Sequence, residues 1–285
     1  MTPTDAPGHA SSGSSAAPVI PSRDARGVWT LTLNRPDSFN ALSEEVLAAL
    51  EEAIARVAAD EQSRAVVLAA TGKAFCPGHH LKEMIARPEL DYYQALFARC
   101  SRMMLSLQRL PVPVIARVHG VATAAGCQLV AQCDLAVAAD SARFAVSGVN
   151  FGLFCGTPSV PLLRNMAPKQ AMEMLVTGDF IDAQEARQRG LVNRVVPLDQ
   201  LDAELEALVQ SILAKPRAAL AIGKDLFYRQ REMGIEAAYQ LAGQAMAVNM
   251  MNPCALEGVT AFTEKREPAW REAPASSPKS GPGPA

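Results

Sequence analysis

The sequence predicts an α/β core followed by a helical C-terminal third. Three observations predict it. Short apolar runs alternate with amphipathic stretches between residues 28 and 138. From Pro161 onward the pattern becomes almost wholly helical, punctuated by Pro168, Pro197, Pro216 and Pro253. The chain has 285 residues, 49% of them hydrophobic, enough to bury one large core or two small ones.

Each element follows from local pattern. Residues 28–33 alternate apolar and polar side chains and end at Asn34-Arg35-Pro36, as a strand does. Ser43 fits a helix N-cap, with Glu44 and Glu45 in the first turn. Val46, Leu47, Leu50, Ile54 and Val57 then form one apolar stripe. Residues 65–70 are a continuous apolar run, which predicts a buried strand. Residues 71–80 form a loop, and a helix over 92–108 stops at Pro111 and Pro113. The strand 114–118 follows, and His119-Gly120 turns the chain into a helix over 124–132 and a short strand at 135–138. Strand–helix–strand alternation implies a parallel or mixed sheet with helical crossovers. Helices are expected near 169–177, 183–189, 201–214, 217–232, 234–250 and 255–265. The ordered body is expected over 20–272, with disordered tails rich in Ala, Ser, Pro and Gly at 1–19 and 273–285.

Composition excludes several function classes. Charged residues make up 20% and the net charge is −2, so no strong field favours nucleic acid. An aromatic content of 5% argues against base stacking as a main activity. Cys76, Cys100, Cys127, Cys133, Cys155 and Cys254 contain no CxxC pair and read as reduced, mostly buried thiols. The histidines (His9, His79, His80 and His119) form no metal-binding spacing, so no metal site is expected. No run of about 20 apolar residues predicts a membrane span. Residues 1–19 lack Lys and Arg, unlike a secretory signal or an Arg-rich transit peptide, so a cytoplasmic protein is expected.

Two loop-to-helix junctions draw the chemistry. One runs from Phe75 through Gly78, His79, His80, Leu81 and Lys82 to Met84. Gly78 permits close backbone approach to a ligand. The other runs from Val118 to Gln128, where small residues open a helix whose first N–H groups lack internal partners.

The sequence resembles the enoyl-CoA hydratase/isomerase (crotonase) superfamily. The resemblance rests on Asn34-Arg35-Pro36 with Asn40-Ala41-Leu42, on residues 75–84 and 113–127, on Gly178 through Val196, and on Gly258 through Arg266. One branch is favoured by Gly78-His79, by residues 124–128, and by residues 148–155. The resemblance implies a crotonase (ClpP/crotonase-like) α/β fold: a repeated ββα spiral core over 20–200, and a helical trimerisation region over 201–272. It implies an acyl-CoA thioester as partner, with coenzyme A part of the substrate and no separate cofactor, and a homotrimer or a hexamer made as a dimer of trimers. The implied oxyanion hole consists of the backbone N–H groups of His79 and Ala125. Gly78, His80, Leu81, Lys82, Ala41 and Lys265 are the implied substrate-binding residues, with Arg266 an alternative to Lys265.

The chain departs from the family at both hydratase glutamates. Gln128 stands in the first position and Gly148 in the second. An amide cannot take a proton at neutral pH, and glycine has no side chain. The resemblance therefore leaves two readings open: an acyl-CoA enzyme with weak or absent ordinary hydration, or a noncatalytic acyl-CoA-binding or regulatory protein. His79, His80, Asn150 and Cys155 are the candidate substitutes for the missing carboxylates.

Overall fold

Two strands and then a helix form the repeating unit of this chain, described over residues 16–271 by a computed structural model. The first unit is β1 (Val19–Arg23), β2 (Val28–Leu33) and α1 (Glu44–Ala59). The second is β3 (Ala65–Ala70), β4 (Ala74–Cys76), a short α2 (Leu81–Ala86) and the long α3 (Leu90–Arg109). The third is β5 (Val114–Val118), β6 (Val121–Thr123) and α4 (Ala125–Gln132). The fourth is β7 (Leu135–Ala139) and β8 (Arg143–Ala145), followed by α5 (Gly156–Asn165) and α6 (Pro168–Thr177). Then come β9 (Ile181–Asp182), α7 (Ala183–Gln188) and β10 (Arg194–Val196). The helical third is α8 (Leu201–Leu213), α9 (Arg217–Gln230), α10 (Ile235–Met250) and α11 (Pro253–Thr263).

The two strands of a unit part company. The larger sheet has the order β1-β2-β3-β5-β7-β10, and the smaller has β4-β6-β8-β9. From the second unit onward, the first strand joins the larger sheet and the second joins the smaller. Among the described residues two pairings are antiparallel, β1 with β2 and β8 with β9, and the others are parallel. This is the α/β spiral expected from the resemblance.

The larger sheet is buried on both faces, which explains the unbroken apolar run of β3. Val66 and Leu68 face a main core with Leu33, Leu47, Phe75, Met103 and Phe144. Ala65, Val67 and Ala69 face a second core closed by Leu201, Leu205, Val209 and Ile212 of α8. Ser43 caps α1 as expected, its side chain accepting from the Val46 N–H.

Several boundaries are corrected. The segment 71–80 contains β4, and the helical part expected from Pro161 already begins at Gly156 with α5, which holds Pro161 inside it. Of the expected tails, residues 1–15 and 273–285 lie outside the described residues. Residues 16–19 are not free: the Ala16 and Ala17 carbonyls accept hydrogen bonds from Arg35 and Asn34, and Val19 opens β1.

The helical third is tied down by a buried ion pair. The Lys224 ammonium lies 2.6 Å from the Asp134 carboxylate and donates to the carbonyls of Leu107 (3.1 Å) and Val112 (2.9 Å). Tyr228 donates to the same carboxylate at 2.7 Å. Burial lowers the Lys224 pKa, and Asp134 opposes that shift. Beyond this anchor the helices expose Phe227, Ile235, Tyr239, Met246, Val248, Met251 and Phe262.

Candidate active site

Three parallel strands of the smaller sheet aim their carboxyl ends the same way. Cys76 of β4 pairs with Ala122 of β6, and Thr123 pairs with Ala145 of β8. The segments leaving those strands (77–80, 124–128 and 146–148) therefore emerge side by side. Ligands of α/β proteins collect beyond the carboxyl ends of parallel strands.

The 77–80 segment lies against Leu42. The Leu42 N–H donates to the Gly78 carbonyl (2.7 Å), and the His80 N–H donates to the Leu42 carbonyl (3.2 Å). In such a parallel bridge the intervening residue turns its own N–H to the opposite side, so the His79 N–H points away from Leu42. Gly78 has φ +100°, and a Cβ there would lie 3.0 Å from both the Ala125 nitrogen and the Ala124 Cβ. Only glycine lets the two segments approach so closely.

The start of α4 is strained. Ala124 has φ 50° and ψ −121°, the first central position of a type II′ turn, where glycine is the favoured residue. A non-glycine residue there costs about 1–3 kcal/mol. The Ala124 N–H is held by the Ala145 carbonyl at 3.0 Å. Gly126 sits on Cys76, where a Cβ would come within 2.0 Å of the Cys76 carbonyl oxygen. Ala125 heads the helix with 1% exposure, and its N–H has no intrahelical acceptor. Among the described residues neither the His79 nor the Ala125 N–H has a hydrogen-bond partner. Helix periodicity places Gln128 one turn on, where it is 3% exposed and its Oε1 is unpaired.

Gly148 is more than a missing side chain. A Cβ there would fall 2.4 Å from the Leu153 carbonyl oxygen and 2.8 Å from the Cys155 Sγ. The Cys155 sulfur also accepts the Gly148 N–H at 3.3 Å. The space that a side chain needs is taken by the 153–155 loop. Burial raises the Cys155 pKa, the Gly148 N–H partly opposing it, so the thiol stays protonated at neutral pH. Burial likewise pushes Cys76, Cys100 and Cys127 to about 12.

The other sequence candidates divide. The His79 ring meets Phe97 edge-on at 5.4 Å, with Nε2 buried and unpaired. Burial holds its pKa down at about 4, so the ring is neutral. His80 caps a helix, its Nδ1 accepting from the Glu83 N–H at the start of α2. Leu81 and Lys82 are exposed on α2, and Ala41 is buried beside the bridge. Asn150 packs on Gly178 and donates weakly to its carbonyl, 3.4 Å away. Lys265 follows α11 in the helical third, with left-handed φ of 56°. Arg266 is engaged by Glu257 and Glu264. His119 donates from Nε2 to the Gly72 carbonyl at 3.0 Å, as a turn-fixing residue would. Among the described residues no cluster of His, Cys, Asp and Glu suits a metal, and no helix is long and apolar enough to cross a membrane.

The sequence model of the enoyl-CoA hydratase/isomerase family matches residues 23–273. The chain belongs to that family. A mouse relative named enoyl-CoA hydratase domain-containing protein 3, mitochondrial, is 43% identical over 259 residues, covering 90% of this chain and 86% of the relative. The solved structure of an enoyl-CoA hydratase from Mycobacterium smegmatis is 65% identical, with a TM-score of 0.88, covering 90% of this chain and 99% of that one. The human enoyl-CoA hydratase domain-containing protein 3 structure is 42% identical, with a TM-score of 0.85, covering 89% and 100%. The expected crotonase fold is therefore the observed one. The cytoplasmic expectation is corrected: the mouse, rat, frog and human relatives are all named mitochondrial, which points away from it.

Two features of the site escaped sequence reasoning. The strain at Ala124 was signalled only by an alanine at a strand-to-helix turn that favours glycine. The aromatic wall of Tyr93 and Phe97, stacked with centroids 6.4 Å apart, was signalled by their i,i+4 spacing.

Proposed function

We propose that this protein binds an acyl-CoA thioester and holds its carbonyl oxygen between the N–H groups of His79 and Ala125. The observation carrying this reading is the close approach of two segments, each with an unpaired amide, at the carboxyl ends of β4 and β6. Charge that develops on a thioester oxygen in an enolate or tetrahedral intermediate is stabilised by such fixed donors, each contributing about 3 kcal/mol. Coenzyme A enters as part of the substrate and no separate cofactor is required. Leu81 and exposed Lys82 flank the path of its adenine end, and Lys82 offers charge to its phosphates.

Hydration of an enoyl thioester also needs a general base and a general acid, each worth about 10²–10⁴-fold. Gln128 supplies neither, and no side chain projects at Gly148. Ordinary hydratase turnover is therefore weak or absent. The filled space at Gly148 favours the second reading, a noncatalytic acyl-CoA-binding protein. The exposed apolar side chains of the helical third support assembly into a homotrimer or a dimer of trimers; a monomer in light scattering contradicts this.

Calorimetry with butyryl-CoA and coenzyme A, alongside turnover of an acyl-CoA panel that includes crotonyl-CoA, tests the reading. Butyryl-CoA should bind more tightly than coenzyme A, and crotonyl-CoA should be hydrated near the background rate. No preference for the thioester overturns the binding reading. Brisk hydration overturns the loss of hydratase activity.

A further inference from the structure

Six buried side-chain polar atoms lack a partner among the described residues, and two of them belong to residues of the candidate site: His79 Nε2 and Gln128 Oε1. Nearly all buried polar atoms in folded proteins are paired, so these two mark a place where a ligand completes the bonding. The two are carried by the 77–80 segment and α4. His79 meets α3 through Phe97, which in turn stacks on Tyr93. The same segment meets α4 through Gly78 and Ala125.

We infer that the His79 imidazole is a specificity-determining group selecting thioesters with an uncharged hydroxyl close to the thioester carbon. This rests on the acyl-CoA reading above. If the amide of His79 holds the thioester oxygen, the ring of that residue reaches only the first few acyl carbons. Its contact with Phe97 fixes the ring in place. A neutral imidazole has one donor and one acceptor nitrogen, and a hydroxyl satisfies Nε2 in either tautomer. The ring itself offers no positive charge to a carboxylate on the acyl chain, because burial keeps it uncharged. A site built to hydrogen-bond a hydroxyl rejects the analogue lacking it, because its buried polar atom is then left unpaired.

The test is a ratio of affinities. Calorimetry compares butyryl-CoA with 2-hydroxybutyryl-CoA and 3-hydroxybutyryl-CoA on the whole chain, its His79→Phe variant and its His79→Gln variant. At least one hydroxy thioester should bind the wild type tenfold or more tightly than butyryl-CoA. His79→Phe keeps a ring against Phe97 and should bring that ratio near one. His79→Gln keeps a polar group and should retain part of it. A wild-type ratio near one, or a ratio unchanged in His79→Phe, overturns the inference while acyl-CoA binding stands. If the wild type binds none of the three thioesters, the acyl-CoA reading falls with it.

Discussion

Gly148→Ala measures how firmly the 153–155 loop occupies the space of the absent side chain. The added methyl would stand 2.4 Å from the Leu153 carbonyl oxygen and 2.8 Å from the Cys155 sulfur. Carbon does not approach either atom so closely, so the Leu153 backbone must move by more than half an ångström, on the order of the difference from ordinary van der Waals contact. Overpacking of this kind costs about 1–3 kcal/mol. The melting temperature should fall by about 2–4 °C for each kcal/mol. Cys155→Ala in the same background removes the sulfur contact but not the carbonyl, so it should restore only part of the loss. Gly148→Glu should be at least as destabilising, and Gln128→Glu with Gly148→Glu should gain crotonyl-CoA hydration only if the loop opens. Urea unfolding and thermal melts give the stabilities. A Gly148→Ala protein as stable as the wild type refutes the packing argument.

Ala124→Gly releases about 1–3 kcal/mol of backbone strain, offset by about 0.5–1 kcal/mol of extra glycine entropy in the unfolded chain. The variant should melt higher by a few degrees; a lower melting temperature contradicts the strain at Ala124. Lys224→Met removes the counter-ion of Asp134, which keeps only neutral donors from Tyr228 and the Val114 N–H, and leaves two backbone carbonyls without their donor; it should cost about 3–5 kcal/mol in urea unfolding. Arg229→Met at an exposed pair with Asp225 should cost under about 1 kcal/mol; equal effects refute the anchor. Burial lowers the His79 pKa from 6.5 to about 4, so the unfolded chain takes up that proton more readily. Its stabilisation is intact above pH 6.5 and disappears as the pH falls through 4, amounting to up to about 3 kcal/mol. His79→Phe should lose correspondingly less stability over that window, and parallel pH curves for the two proteins contradict the burial of the ring.

The long elements were legible because their residues carry a full period. Val46, Leu47, Leu50, Ile54 and Val57 mark α1, and the apolar run of β3 reflects a sheet covered on both sides. The strands of the smaller sheet were not legible: β4, β6 and β8 have three residues each and β9 has two, too few for alternation to show. Yet those strands assemble the candidate site. The two junctions, 75–84 and 118–128, were visible from their small residues and Gly78, but the roles of His79, Ala125, Gln128 and Gly148 came only through the family resemblance. What no motif carried was three-dimensional. His80 caps a helix, Asn150 packs on Gly178, and the Leu153 carbonyl fills the space above Gly148. Each depends on how a loop folds back, which has no periodic signature.

A structure of the protein with butyryl-CoA bound tests the central claim most directly. The account predicts the thioester oxygen about 2.7–3.1 Å from both the His79 and Ala125 nitrogens, with no carboxylate against the acyl carbons. A thioester oxygen that meets neither amide, or an Asp or Glu side chain reaching the acyl group, contradicts it.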